Sequence, residues 1–306
     1  MKLITLVFFA LSSFAYAGTS LLDSEATVTG FGKIKYRAPK VQSNETPIVL
    51  FHGIYGGVSH RTWRKLVPEL EKAGKEVYLM DLPGAGESDK PKRAYSIADF
   101  DVFVENFLVE VVKKRANLVS ESILGNSVLK IASKRPDIVR RVVLINPSGI
   151  SSLATPPSPR EQGLYDRLFN DDQAATAFYQ NLLNPNSIVY FLSFGFFDDT
   201  LVNQELISDF VVMKDNVDQR FLTLSFVGGQ LYRTFEESSD QVFVPVLGIF
   251  GAEYEGFQDN RIDTAQDFKD IRPYFEYVEI PQSGSSVQRE KPVETAQEIV
   301  DFLVID

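Results

Sequence analysis

The sequence contains no cysteine and only two histidines, His52 and His60, in 306 residues. Without cysteine the chain can form no disulfide, no thiolate metal site and no thiol nucleophile. Two histidines are too few for a histidine-rich metal centre, so we expect no metal site. Net positive charge is also lacking, since the formal charge is −10. Nucleic acids and anionic membranes are bound through basic surfaces, and both are therefore disfavoured as partners.

The sequence also lacks a hydrophobic run long enough to cross a membrane. Residues 1–17, MKLITLVFFALSSFAYA, place one lysine before an apolar run. That run has about a dozen residues, whereas a transmembrane helix needs about 20. Small residues at Ala15 and Ala17 fit a signal-peptidase cleavage site. We predict that residues 1–17 are a signal peptide, and that the mature protein is exported, periplasmic or secreted, with no stable membrane span.

Apolar runs typical of buried parallel strands alternate with segments of helical spacing along most of the chain. TPIVLFHGIYGG and RRVVLINPSG are examples of the strands, and SIADFDVFVENFLVEVVKK is an amphipathic helix. This alternation predicts an α/β fold, with a mostly parallel central sheet flanked by helices. Residues 150–240 interrupt it, and we predict that they form an inserted helical cap. The cap aromatics, densest in SIVYFLSFGFFDD, either line an apolar pocket or pack against the sheet.

Five motifs follow one another in a characteristic order. They are His52-Gly53 after a strand, DLPGAGESD, LVSESILGNS, VPVLGIFGAEY, and IPQSGSSVQREKPVETAQEIVDFL. Together they resemble the α/β-hydrolase family, in particular its capped esterase- and lipase-like members. The resemblance implies an α/β-hydrolase core of residues 18–149 and 241–306 around the cap. It also implies that no cofactor is needed.

The resemblance further implies a nucleophile and an oxyanion hole. Ser122 takes the position of the nucleophilic serine, and the backbone N–H groups of Ile54 and Ile123 take those of the oxyanion donors. The family's acid position falls on Tyr254 and its histidine position on Ser285. No histidine follows residue 60, so the usual triad cannot form.

The turn around the nucleophile position is altered as well. The family places small residues two before and two after the serine, and here these positions hold Ser120 and Leu124. The bulky Leu124 must find room or the turn must open, although Gly125 relieves crowding.

Three replacements for the missing base can be considered. His60 follows the HGIYGG loop, but it also fits the start of a helix before TWRKL. His52 belongs to the oxyanion turn, where the family's histidine is structural. Glu253 or Glu255 could act through a water molecule, whereas Asp81 is interpreted as a loop-stabilising carboxylate.

Three functions remain open on this sequence. The first is a pseudoenzyme that binds an apolar small molecule or a protein partner. The second is an active serine ester hydrolase that uses Ser122 with an unorthodox base. The third is a structural or interaction protein without a working pocket.

Overall fold

A computed structural model describes residues 19–40, 45–254 and 263–304. The predicted signal peptide and Glu255 lie outside these residues. Eight strands form one sheet: β1 Ser24–Val28, β2 Gly32–Arg37, β3 Ile48–Phe51, β4 Val77–Met80, β5 Ala116–Glu121, β6 Val139–Ile145, β7 Val246–Gly251 and β8 Glu276–Ile280.

The order of strands in the sheet is β1-β2-β4-β3-β5-β6-β7-β8. β1 pairs with β2 and β2 with β4 in antiparallel fashion, and all pairs from β4 through β8 are parallel. The prediction of a mostly parallel sheet is therefore confirmed. Because parallel strands end at one edge, the loops after β3, β5, β6 and β7 meet there, and this edge holds the candidate site.

Helices surround the sheet. In the described part of the chain they are α1 Leu66–Lys72, α2 Ile97–Phe107, α3 Leu124–Lys134, α4 Pro159–Phe169, α5 Asp172–Leu182, α6 Pro185–Gly195, α7 Gln204–Val211, α8 Arg220–Val227, α9 Phe235–Ser239, α10 Ala265–Ile271, α11 Val287–Glu290 and α12 Pro292–Val304. Short 3₁₀ segments occur at His60–Trp63, Asp199–Leu201 and Val217–Gln219, and a π-helical turn extends α2 at Leu108–Val112.

The alternation of side chains along each strand divides the core into two layers. In β3, Val49 and Phe51 pack with α2 and α3, whereas Ile48 and Leu50 pack with α1 and α12. Both faces of the strand are therefore buried, which explains its continuous apolar sequence.

The segment predicted as the cap, residues 150–240, contains α4 to α9 and stands between β6 and β7. Its first helix begins at a capping box of Ser158 and Glu161, with Pro159 at the first helical position, an arrangement that satisfies otherwise unpaired backbone N–H groups. At its other end Arg233 makes two 2.8 Å hydrogen bonds to Asp101 of α2. No helix of the described residues has the length and apolarity required to span a bilayer.

Candidate active site

The turn between β5 and α3 holds Ser122 in a left-handed conformation, with φ of +54°. This conformation is unfavourable for a residue with a side chain and persists only where its surroundings enforce it. Here the Ser122 N–H donates to the Ile145 carbonyl over 3.1 Å, and the Ser122 carbonyl accepts from Gly125 over 3.1 Å. The strained strand-to-helix turn expected for a nucleophilic serine is therefore present.

The turn accommodates Leu124 without opening. The Leu124 side chain is fully buried and joins the core layer beneath α3. A Cβ atom on Gly125 would lie 3.1 Å from a methyl group of Leu144, so the glycine allows Leu144 to pack closely against the start of α3. The crowding anticipated from the sequence is thus resolved inward, into the core.

The hydroxyl of Ser122 lacks a base. Its hydrogen-bond partner is the hydroxyl of Ser148, 3.3 Å away, and no other side chain of the described residues bonds to it. A second serine hydroxyl is too weak a base to take the proton from the first at neutral pH.

The two backbone N–H groups predicted as oxyanion donors have no acceptor within the described part of the protein. Ile54 and Ile123 are completely buried. Buried N–H groups are nearly always paired, so these two are suited to an oxygen atom supplied by a ligand or by water.

Both histidines are fully buried, and all four ring nitrogens have partners within the protein. His60 Nδ1 lies 3.0 Å from Asp81 Oδ2, and its Nε2 accepts from the Leu21 N–H over 3.3 Å. His52 Nδ1 lies 2.7 Å from the Gly53 carbonyl, and its Nε2 accepts from the Leu82 N–H over 3.1 Å.

These contacts run counter to the predicted role of His60 as a base. Its acceptor nitrogen is already engaged by a backbone N–H, and its other nitrogen is held by Asp81. The alternative interpretation, a helix start, agrees with the 3₁₀ turn that begins at His60 behind the capping Ser59. Burial also lowers the pKa of His52, which keeps that ring neutral.

Asp81 holds the loops beneath the site. It accepts the backbone N–H groups of His60, over 2.6 Å, and of Glu87, over 2.7 Å. Burial alone would raise the pKa of Asp81, but the neighbouring His60 and the other donors outweigh it and lower the pKa to about 2.

His60, Asp81 and the exposed Glu87 lie close enough to share an ion. However, the hydrogen bonds of His60 already use both of its nitrogens.

The structure brings the two substituted positions to the same edge of the sheet. Ser285 donates to the Gly195 carbonyl from both its N–H, over 2.8 Å, and its hydroxyl, over 3.2 Å. Tyr254 is half-buried, and burial, together with the nearby charge of Asp263, raises the pKa of its hydroxyl. Glu253 accepts from the Ser283 N–H over 3.1 Å, so this candidate for a water-mediated base instead fixes the loop.

Three polar residues at this edge of the sheet escaped the sequence analysis. Asn146, after β6, donates to the Ser285 carbonyl over 2.8 Å and accepts from Gly251 over 3.2 Å. Glu290 accepts from the N–H groups of Gly284, Phe197 and Asp198 over 2.6, 2.9 and 3.2 Å. These two side chains hold the loop around Ser285 to the neighbouring strands and to the segment between β6 and β7.

The third is Glu121, which directly precedes Ser122 and is almost fully buried. Its carboxylate accepts from the Gly53 N–H over 2.8 Å, the Tyr55 hydroxyl over 3.2 Å and the Thr62 hydroxyl over 3.3 Å. The Gln288 amide donates to it as well. Burial raises the pKa of Glu121, and these donors only partly oppose that effect.

Comparisons with known proteins agree on the fold. A family model described as "alpha/beta hydrolase fold" matches residues 46–211. An uncharacterized protein of Mycobacterium tuberculosis is 30% identical over 115 residues, which are 38% of this chain and 33% of that protein. The 2-hydroxymuconate semialdehyde hydrolase of Pseudomonas sp. (strain CF600) is 34% identical over 109 residues, 34% of this chain and 38% of that enzyme. The match thus spans little more than a third of these curated relatives.

Solved structures resemble a larger part of the chain. The enol-lactonase from Burkholderia xenovorans superposes with a TM-score of 0.69 at 20% identity, covering 92% of this chain and all of that one. A bacterial membrane phospholipase A superposes with a TM-score of 0.66 at 21% identity, covering 92% of this chain and 84% of that one. At these identities the likeness shows the fold alone.

Proposed function

Because the chain belongs to the α/β-hydrolase-fold family, we propose that it is a member that no longer hydrolyses and instead binds an apolar small molecule through a carbonyl or carboxylate oxygen. The single observation that carries this proposal is the environment of the Ser122 hydroxyl. Its partner is Ser148 and not an imidazole, and both histidines of the sequence are engaged elsewhere.

The expected loss of activity is large. Removing the histidine from a serine–histidine unit typically lowers turnover by about a million-fold. An oxyanion hole and substrate binding alone accelerate hydrolysis by about a thousand-fold over water. Ser122 is therefore expected to be almost silent as a nucleophile.

The class of ligand follows from the donors that remain. The N–H groups of Ile54 and Ile123, which have no acceptor among the described residues, suit one oxygen atom, and the side chains of both residues belong to the apolar core. A carbonyl compound with an aliphatic or aromatic body would satisfy these donors and the apolar surface together. A medium-chain methyl ketone should accordingly raise the melting temperature, whereas the alkane of the same length should not.

The decisive experiment is covalent labelling of the purified protein with a fluorophosphonate, beside hydrolysis of short and medium acyl p-nitrophenyl esters. Ser122→Ala is the matched control for both. We expect no label on Ser122 and the same ester turnover in wild type and variant. Labelling and turnover that disappear in Ser122→Ala would reject the proposal.

A second function, ester hydrolysis with an unorthodox base, is favoured by one observation. Ser122 keeps the strained turn and the two donors that an acyl-transfer reaction needs. Relatives such as the 2-hydroxymuconate semialdehyde hydrolase bear the names of hydrolases. Labelling of Ser122 would support this function, and the search for a base would then begin with His60→Ala.

Export belongs to the proposal as well, and it rests on the pattern of residues 1–17. Expression of the full chain in a Gram-negative host, followed by N-terminal sequencing of the periplasmic protein, tests it. The expected first residue is Gly18. Intact residues 1–17 on protein recovered from the cytoplasm alone would contradict it.

A further inference from the structure

A second cleft lies between the core and the cap. The residues of the nucleophile turn and the oxyanion donors are not among those that line it. The core contributes Arg61, Thr62, Arg64, Lys65 and Arg289 to its walls, and the cap contributes Phe196, Leu201, Asn203, Glu205, Leu206 and Asp209. We call it the arginine cleft. Its volume of about 30 Å³ is room for two or three water molecules, since one water needs about 10–15 Å³.

The charge of the arginine cleft is opposite to that of the protein as a whole. Four cationic side chains line it against two carboxylates, while the chain has a formal charge of −10. Arg64 is paired with Asp209 at 2.6 Å and with Glu205 at 3.5 Å. Lys65 is exposed and has no partner among the described residues, so positive charge is in excess.

Arg289 gives the cleft its donors. Its side chain is only 8% exposed, yet its hydrogen bonding in the described residues is limited to one bond, from Nε to the Thr62 hydroxyl over 3.3 Å. Nη1 lies 3.8 Å from Asp209 Oδ2, which is beyond hydrogen-bond distance, and the guanidinium is stacked 5.2 Å from the Phe210 ring centre. A buried guanidinium rarely leaves its terminal N–H groups unused.

The cap contributes a second favourable feature. The eight-residue helix α7 begins at the cleft, where its capping residue Asn203 accepts from the Leu206 N–H. The N-terminal end of a helix carries partial positive charge and favours anions. The start of α7 and the side chain of Arg289 therefore line the same small volume.

We propose that the arginine cleft binds a small oxyanion, a carboxylate or a phosphate group, with the terminal nitrogens of Arg289 as paired donors. The planar fork of an arginine matches the two oxygens of such a group. The volume admits the anionic group itself, and Phe196, Leu201 and Leu206 offer apolar surface to a short chain attached to it. This binding is independent of the proposed carbonyl site at Ser122, so either proposal can fail while the other stands.

Isothermal titration of the purified protein with sodium acetate, and separately with inorganic phosphate, tests the proposal at ionic strength held constant with sodium chloride. We expect saturable binding of at least one of the two, and the preferred anion identifies the group. Arg289→Gln should weaken that binding at least about tenfold, since charge-assisted hydrogen bonds are lost. Lys65→Gln should weaken it about two- to fivefold.

Arg167→Gln is the matched control, because Arg167 is exposed on α4 and outside the arginine cleft. It should bind like the wild type. If Arg289→Gln fails to fold, the exposed Lys65→Gln decides the question. Absence of saturable binding of both anions by the wild type, or unchanged affinity in Lys65→Gln, would overturn the proposal.

Discussion

Replacement of Glu121 tests whether this buried carboxylate holds the oxyanion loop. Its oxygens accept from the Gly53 N–H, from the hydroxyls of Tyr55 and Thr62, and from the Gln288 amide. Glu121→Ala would leave the buried Gly53 N–H unpaired and remove the negative charge near Arg289. Breaking such a buried charged network typically costs about 3–5 kcal/mol.

Glu121→Gln separates charge from shape. The glutamine side chain has about the same volume as the glutamate and keeps one acceptor oxygen. Its amide NH₂, however, would face a site made mainly of hydrogen-bond donors. We expect a cost of about 1–3 kcal/mol in the free energy of unfolding, which is typical of one unsatisfied buried polar group. Urea unfolding measures both variants, as a lower midpoint with an unchanged slope.

The contribution of Glu121 to the stability of the folded protein should depend on pH. Burial raises the pKa of Glu121 in the folded protein above its ordinary value of 4.5. The folded state therefore holds this proton more tightly than the unfolded state does, and its contribution to stability is present below pH 4.5 and lost as pH rises through the folded pKa. The stability difference between wild type and Glu121→Gln should accordingly shrink as pH rises above 4.5.

The exposed Glu276→Ala is the control and should change stability by less than about 0.5 kcal/mol. A Glu121→Ala variant as stable as this control would refute the argument that the carboxylate holds the loop. So would a difference for Glu121→Gln that grows as pH rises.

Three further predictions concern stability. Asp81→Asn should cost about 2 kcal/mol at pH 7, because the pKa of Asp81 falls from 3.8 to about 2 on folding. A depressed pKa of Asp81 stabilises the fold above pH 3.8. The difference in the free energy of unfolding between wild type and Asp81→Asn, measured in urea, should therefore shrink as pH falls from 3.8 towards 2. A difference that does not change with pH would contradict this prediction. Arg233→Ala should cost about 3–5 kcal/mol in the free energy of unfolding, because it leaves Asp101 buried without its partner. Arg233→Lys should recover only part of that stability in thermal unfolding, and full recovery would show that the two-bond geometry of the arginine is unimportant. Leu124→Ala should cost about 2–5 kcal/mol by calorimetry, as for other buried leucines, and a cost near zero would mean that Leu124 does not pack in the core as described.

Much of the fold could be predicted from the sequence because its signals are local. Buried parallel strands such as β3 are apolar without interruption, and glycines end them where the chain turns. The nucleophile turn could be placed by the same means, since Ser122 follows a buried strand and precedes a helix.

The environment of the site could not be predicted, because it depends on contacts between distant residues. His60 is engaged by Asp81 and by Leu21, which are 21 and 39 residues away. The side chain of Leu144, on β6, packs closely against Gly125 at the start of α3. No local pattern reports either contact.

A weaker signal was present for Glu121. It is a single acidic residue within the buried strand sequence ANLVSE, where a charge needs a specific partner. Its proximity to the oxyanion loop follows from the pairing of β3 beside β5, with Phe51 opposite Ser120. Knowledge that β3 lies beside β5, together with the buried Glu121, would have been enough to propose the contact between Glu121 and the loop after β3.

The most direct test of the account is fluorophosphonate labelling of the purified protein, read by mass spectrometry at Ser122 with Ser122→Ala alongside. We predict an unlabelled Ser122 in a folded protein, because Ser148 is the one side-chain partner of its hydroxyl among the described residues. Stoichiometric labelling that is lost in Ser122→Ala would show an activated nucleophile and contradict the central claim.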